Sequence, residues 1–289
     1  MIFEDAMQEV ATGFGLIEAP VWDHAKGLYF SDVLNGGVYL LDRKDEISQI
    51  VPKRRGVGGM ALHEAGGLVI GGRDIAFFPL GGASPKSWLA IGDIPGATGF
   101  NDLTTDKSGR LYVGSLAFRV FGGDAAQPGH LHVIELDGRS RVISDGILLT
   151  NGLGFSPDGR RLFHSDSRSN HVRVYDVKQD GSVAAWQVFA QLGSSGVPDG
   201  LKVASDGSVW VADARGGRVA VFNPDGSHRA DIPVPLPMVT SVCFGGHDLK
   251  DLYVVTGSEA VPTAASGSIF RVRVDVAGLP LPPARVSIA

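Results

Sequence analysis

Short apolar runs separated by glycine-bearing turns recur along the whole chain. One copy reads APVWDHAKGLYFSD followed by GGVYLLD (19–42), and another reads GLKVASDGSVWVAD followed by GGRVAVFNPDG (200–226). Each joins an apolar strand, a tight turn, a second strand and a Gly-x-hydrophobic third strand. Such runs, alternating or continuously apolar and bounded by Gly, Asp and Pro, predict β-structure throughout, and no window keeps a helical period. Six copies align on second strands that begin near Leu28, Leu68, Leu111, Leu162, Val209 and Leu252. Their spacing of roughly 40 to 51 residues suits a four-stranded propeller blade. Copies two (GMALHEAGGLVIGGRDIAFFPLGG) and six (TSVCFGGHDLKDLYVVTG, then GSIFRVRVD) are the most degenerate. One such sheet cannot bury both its faces alone, so the copies must stack around an axis. The expected architecture is all-β: a six-bladed β-propeller of four-stranded antiparallel blades around a central channel, forming one domain over residues 1–289.

The repeat also acts as a ruler. About ten to twelve residues before each second strand, where the inner strand begins, stand Glu18, Gly58, Asn101, Asn151, Asp199 and Thr240. Equivalent positions in a propeller point to equivalent places around the axis. Four oxygen-bearing side chains (Glu18, Asn101, Asn151 and Asp199) are therefore expected to converge at one mouth of the channel. Gly58 and Thr240, being small, are expected to leave room on one side. Two carboxylates and two amides facing each other in a narrow channel call for a divalent cation, and all-oxygen ligation suits Ca²⁺ or Mg²⁺, with Zn²⁺ and Mn²⁺ also accepting carboxylates. Asp32, Asp166 and Asp213 follow the second strands and read as turn formers or supports of the ligands. Asp23, Asp106, Asp158 and Asp206 belong to turns at the opposite end.

Composition narrows the function classes. Glycine supplies 40 of 289 residues, as a turn-rich β protein requires. The formal charge of −5, from 26 basic and 31 acidic residues, argues against a nucleic-acid partner. The basic triplet Lys53-Arg54-Arg55 is expected to be a solvated turn. Cys243 is the only cysteine, so no disulfide forms within the chain, and its apolar context SVCF marks it as a buried hydrophobe. The N-terminal MIFEDAMQEV has no signal-peptide core, and no apolar run reaches membrane-spanning length, so a soluble cytoplasmic protein with no membrane partner is expected. HExxH, paired CxxC and P-loop motifs are absent. GFSPDG (154–159) is not a nucleophile elbow, because Asp158 stands where the last glycine is needed. His130, His132 and His164 have no partners at ligand spacing and read as structural.

The segments IEAPVWD (17–23), FNDLTTDKSGRLYVGS (100–115), TNGLGFSPDGRRLFHSDS (150–167), PDGLKVASDGSVWVAD (198–213), TSVCFGG (240–246) and GSIFRV (267–272) closely resemble the regucalcin/gluconolactonase family. The resemblance implies a six-bladed propeller, one divalent metal ion at the channel mouth (Ca²⁺ or Zn²⁺ first, Mg²⁺ or Mn²⁺ as alternatives) and hydrolysis of sugar lactones. It assigns the metal ligands to Glu18, Asn151 and Asp199, the general base to Asp199, and contact with substrate or water to Asn101. Two departures stand out. Gly99 replaces an arginine common in sugar lactonases, and Arg119 falls where some members carry a substrate-contacting glutamate. The same loop offers Phe118, Val120 and Phe121. A less polyhydroxylated lactone or cyclic ester is implied, with Arg119 and Phe121 as candidate substrate contacts and Arg119 available to a carboxylate on the substrate.

The leading reading is a metal-dependent lactonase opening a small-molecule lactone to its hydroxy acid. The alternative is a non-catalytic propeller that binds a divalent metal or small ligand with the same oxygens. A protein-interaction propeller fits less well, since the G-H…W-D repeat signature is missing.

Overall fold

The computed structural model describes residues 6–193, 195–258 and 266–289. Six four-stranded antiparallel sheets form the blades of a β-propeller. The inner strands are Ile17–Asp23, Met60–His63, Gly99–Thr105, Thr150–Phe155, Pro198–Val203 and Val239–Gly245, in blades one to six. Blades one to five run from inner to outer strand in sequence order. The sixth takes its outer strand from the other end of the chain: Gln8–Phe14 pairs with Gly267–Arg273 and closes the ring. Among the described residues the only helical element is the 3-10 turn Ile91–Asp93, and no helix is long and apolar enough to cross a membrane.

Burial explains the sequence pattern. The inner and second strands are covered on both faces, as in Gly27–Asp32, where every residue is buried. Their middles are accordingly rich in apolar residues, with polar ones gathered mainly toward the strand ends. Outer strands such as Ser140–Ile147 alternate between exposed and part-buried positions. The apolar residues gather into six clusters, each lying between two neighbouring blades. Trp210, Val221, Val242 and Phe244 join blades five and six, while Ile17, Phe30, Tyr253 and Ile269 join blade one to blade six. The core is therefore a ring of interfaces around the channel, and side chains at the channel ends are fixed by blade stacking.

The two ends differ. At one, Asp23, Asp106, Asp158 and Asp206 each accept the backbone N–H two residues on, forming the expected turns. The C-terminal segment crosses this end: Leu279 donates to the Val203 carbonyl, the Pro282 carbonyl accepts from Thr105, and Ala284 donates to the Leu62 carbonyl. Beneath it lies a cavity of about 150 Å³ that includes Lys202 and Cys243 in its lining. Cys243 is buried, as its context indicated, and burial pushes its thiol up to about 11. The other end opens into a cavity of about 890 Å³. The channel thus has one broad entrance.

The basic triplet is not uniformly solvated. Arg54 forms a 2.6 Å ion pair with Asp74 and donates to the Gly71 carbonyl, tying the end of blade one to blade two. An isolated triplet cannot reveal that its middle member meets a carboxylate twenty residues on.

His164 is fully buried, with Nε2 2.7 Å from the Thr150 hydroxyl and Nδ1 without a partner among the described residues. Burial, aided by Arg173, lowers its pKa to about 3, and burial beside His130 lowers that of His132 to about 4. Both are neutral in the fold, whereas in the unfolded chain they take up a proton below about 6.5. The unfolded state binds more protons in this window, so their stabilisation is complete above that pH and is lost as pH falls toward 3–4, by up to about 1.4 kcal/mol per pH unit for each. Urea midpoints are expected to fall between pH 7.5 and 5, and His164→Gln to flatten that slope. An unchanged slope in the variant would show that His164 is not a source of the acid sensitivity.

Candidate active site

One backbone irregularity sets the site. In the inner strand of blade one, three residue steps from Glu18 to Val21 oppose two from Ser31 to Tyr29. The same extra residue occurs between Phe100 and Leu103, Thr150 and Leu153, Pro198 and Leu201, and Val239 and Ser241. Such β-bulges bend a strand and re-aim a side chain, and they recur beside active sites. Glu18, Asn101, Asn151, Asp199 and Thr240 all stand at or within a bulge. Five blades therefore repeat the same device. In blade one it leaves Ala19 at φ 54°, in the left-handed region that is costly for a residue with a Cβ.

Glu18, Asn101, Asn151 and Asp199 all line the 890 Å³ cavity, as do Arg119 and Phe121. Asn101 Nδ2 donates to the Thr150 carbonyl at 2.7 Å and to Asn151 Oδ1 at 2.5 Å. Asn151 Nδ2 donates to Ser167 Oγ, which in turn donates to the Pro198 carbonyl. Blades three, four and five are linked by this chain, and the Asn151 carboxamide has a fixed orientation. The room expected at Gly58 and Thr240 is taken. A Cβ at Gly58 would fall 1.8 Å from Asn101 Oδ1, so the glycine makes space for that carboxamide. Thr240 Oγ1 lies 2.5 Å from the Ile17 carbonyl and joins blade six to blade one. The acids after the second strands support the floor: Asp32 accepts the Gly15 N–H, Asp166 the Leu149 N–H and Asp213 the Val197 N–H, each just ahead of its own blade's inner strand.

The floor is electrostatically unfavourable by itself. Burial first, then the charges of Asp199 and Asp102, raises the Glu18 carboxyl well above its usual range. Asp199 is raised likewise, by burial and then by Asp102. Asp102, also raised by burial, is opposed by the positive charge of Lys202 and by the Leu103 N–H. Asp102 and Lys202 are 6% and 8% exposed. The register comparison did not single them out. A lysine in the apolar inner-strand run GLKV and an acid directly after Asn101 were the available signals.

The residues fit a hard cation. Asp199 Oδ1 is shielded from solvent and has no hydrogen-bond partner among the described residues, and an unpaired buried anionic acceptor is costly unless a cation meets it. Glu18, Asn151 and Asp199 supply carboxylate, amide and carboxylate oxygens, the donor chemistry such ions take. Among the described residues no three His, Cys, Asp or Glu side chains group as a metal site, and this set has only two carboxylates, taking its third donor from an amide.

Arg119 is not free. Its guanidinium makes a two-point ion pair with Asp124 at 2.7 and 2.9 Å within its own loop, with the side chain 71% exposed. Phe121 is 69% exposed at the rim, whereas Phe118 is buried and forms part of the wall.

The sequence pattern of the SMP-30/Gluconolactonase/LRE-like region runs from residue 16 to residue 258. The chain belongs to this family. It is 31% identical to a 6-deoxy-6-sulfogluconolactonase of Pseudomonas putida over 273 residues, 90% of this chain and 92% of that protein. It is 30% identical to a pentonolactonase of Haloferax volcanii, covering 94% and 95% of the two chains. The solved structure of a regucalcin from Agrobacterium tumefaciens superimposes with a TM-score of 0.85 at 22% identity over 97% of each chain.

In this SMP-30/gluconolactonase-family chain the crowded carboxylates have a measurable consequence. With divalent ions chelated, Asp199→Asn is expected to raise unfolding stability by about 1–3 kcal/mol, by removing a buried, uncompensated carboxyl charge. Added Ca²⁺ or Mn²⁺ is expected to stabilise the wild type and not the variant. Urea titrations with chelator and with ion make the comparison, and a variant less stable than wild type in chelator would contradict it.

Proposed function

We propose that the protein is a metal-dependent lactonase that hydrolyses a sugar lactone or a related cyclic ester to its hydroxy acid. The observation that carries this reading is Asp199 Oδ1, buried and without a partner among the described residues, beside Glu18 and Asn151 on the lining of the entrance in a chain of the gluconolactonase family. The lactonase names of the relatives from Pseudomonas putida and Haloferax volcanii support the substrate class.

Glu18, Asn151 and Asp199 would hold the ion, which when bound supplies Lewis-acid polarisation of an ester carbonyl and of water. Asp199 is the general base: the carboxylate oxygen that the ion leaves free accepts a proton from the attacking water. The water oxygen bonds to the carbonyl carbon, the ring C–O bond breaks, and the proton returns to the departing ring oxygen, so lactone plus water gives one hydroxy acid. Asn101 keeps the Asn151 carboxamide in place through its 2.5 Å hydrogen bond and borders the reacting group. Phe118 and Val120 form an apolar wall that limits water beside the ester. No covalent enzyme intermediate is needed.

Asp199→Ala is expected to lower turnover of γ- and δ-lactones by about 10²- to 10⁴-fold, the size of a general-base contribution. Chelation is expected to abolish turnover and one divalent ion to restore it. Undiminished activity in the variant would remove Asp199 from the mechanism, and indifference to chelator would remove the metal. Ion binding without turnover of any lactone would favour the non-catalytic metal-binding propeller.

A further inference from the structure

The entrance carries a second repeated feature, opposite in sign to the first. The loop after the second strand bears an arginine in four consecutive blades: Arg73, Arg119, Arg168 and Arg215. Arg55, from the connection between blades one and two, joins them, and all five line the entrance cavity. Among the described residues the only carboxylates that line it are Glu18 and Asp199 on the floor. In a chain of net charge −5 this concentration runs against the overall balance. The next layer behaves differently, since Arg54 and Arg218 are spent on Asp74 and Asp213. Arg119 is neutralised by Asp124. Among the described residues Arg55, Arg73, Arg168 and Arg215 make no ion pair, and Arg168 lies 6.0 Å over the ring of buried Phe118, held against the cavity wall.

We propose that these arginines bind an anionic substituent of the lactone, so that the substrate is a lactone bearing a carboxylate, sulfonate or phosphate at the end remote from its ester. This deepens the lactonase reading and rests on it. Guanidinium groups pair with such anions through two parallel hydrogen bonds, and a cleft lined by one sign of charge concentrates the opposite one. A neutral sugar lactone makes no use of four unpaired guanidiniums. The remote position follows from the charge gradient: an anion near the floor meets Glu18 and Asp199, whereas one at the rim meets the guanidiniums of Arg55, Arg73, Arg168 and Arg215. Arg119, committed to Asp124, is not the principal anchor.

The test compares glucono-1,5-lactone with three charged lactones: glucaro-1,4-lactone, 6-phosphoglucono-1,5-lactone and 6-deoxy-6-sulfogluconolactone. At low ionic strength at least one charged lactone is expected to exceed the neutral one in kcat/KM by about tenfold or more, chiefly through KM, and the advantage is expected to shrink as salt screens the rim. Which one wins identifies the anion. Binding is read separately with ring lactams, which resist opening: a lactam carrying the preferred anion is expected to bind about tenfold more tightly than the neutral lactam. Arg73→Gln, Arg168→Gln and Arg215→Gln, singly and together, are expected to bring the charged-to-neutral ratio toward one. Turnover with no preference for charge, or a preference unmoved by salt and by all three substitutions, overturns the arginine site and leaves the lactonase reading standing. Charged lactams preferred without turnover of any lactone would support the arginine site and overturn the lactonase reading.

Discussion

Two carboxylates on the floor of one entrance, the buried Asp199 and the part-buried Glu18, with little positive charge beside them, are the constraint around which this propeller is arranged. Burial raises the proton affinity of Glu18, Asp199 and Asp102, the charge of Asp102 adds to it at both Glu18 and Asp199, Asp199 adds to it at Glu18, and the buried Lys202 opposes it at Glu18 and Asp102. A fold does not acquire that arrangement for stability, because burying unpaired charge is costly. The blades on either side hold it in place. The inter-blade clusters fix the inner strands, the bulges turn one residue of each toward the mouth, and hydrogen bonds from Asn101 through Asn151 to Ser167 and Pro198 prevent the amides from rotating away. The resulting strain is of the kind stored at functional sites and balanced by the surrounding core.

The bulge explains how a repeat produces a site. A regular strand of period two would send neighbouring residues to opposite faces of a blade, both against other blades. The extra residue breaks that alternation once in each of five blades, at the channel end, and lets a side chain face the axis. Gly200, the residue after Asp199, would bring a Cβ within 2.1 Å of Ser241 Oγ, so the inner strands of blades five and six meet too closely for any side chain there. The polar residue and the glycine behind it are thus one structural unit, and N-G and D-G pairs at inner-strand starts record it in the sequence.

Much of this was legible before any coordinates. The six copies, the second-strand starts and the register shared by Glu18, Asn101, Asn151 and Asp199 follow from periodicity, because blade geometry is local and repeated. What was not legible depends on contacts between distant segments. Nothing in QEVATGF marks it as the outer strand of the last blade, since that role is set by ring closure. Arg54 looked solvated because its partner Asp74 lies in another blade. Asp102 and Lys202 were missed because their positions matter only through the shared interior of the channel. The room expected beside Gly58 vanished because a neighbouring Asn101 fills it. The rim arginines could have been found by applying the same ruler after the second strand as well as before the first.

The charge pattern is therefore layered: cations around the rim, anions on the floor, and a lone buried lysine beneath them. Under the proposed function a divalent ion completes that sequence by matching the floor. The direct measurement is a crystal structure of the protein loaded with Mn²⁺, located by its anomalous signal. The account predicts one ion within about 2.0–2.6 Å of oxygens from Glu18, Asn151 and Asp199, with Asp199 Oδ1 now engaged. An ion bound elsewhere, or a mouth in which the two carboxylates share a proton and admit no ion, would contradict it.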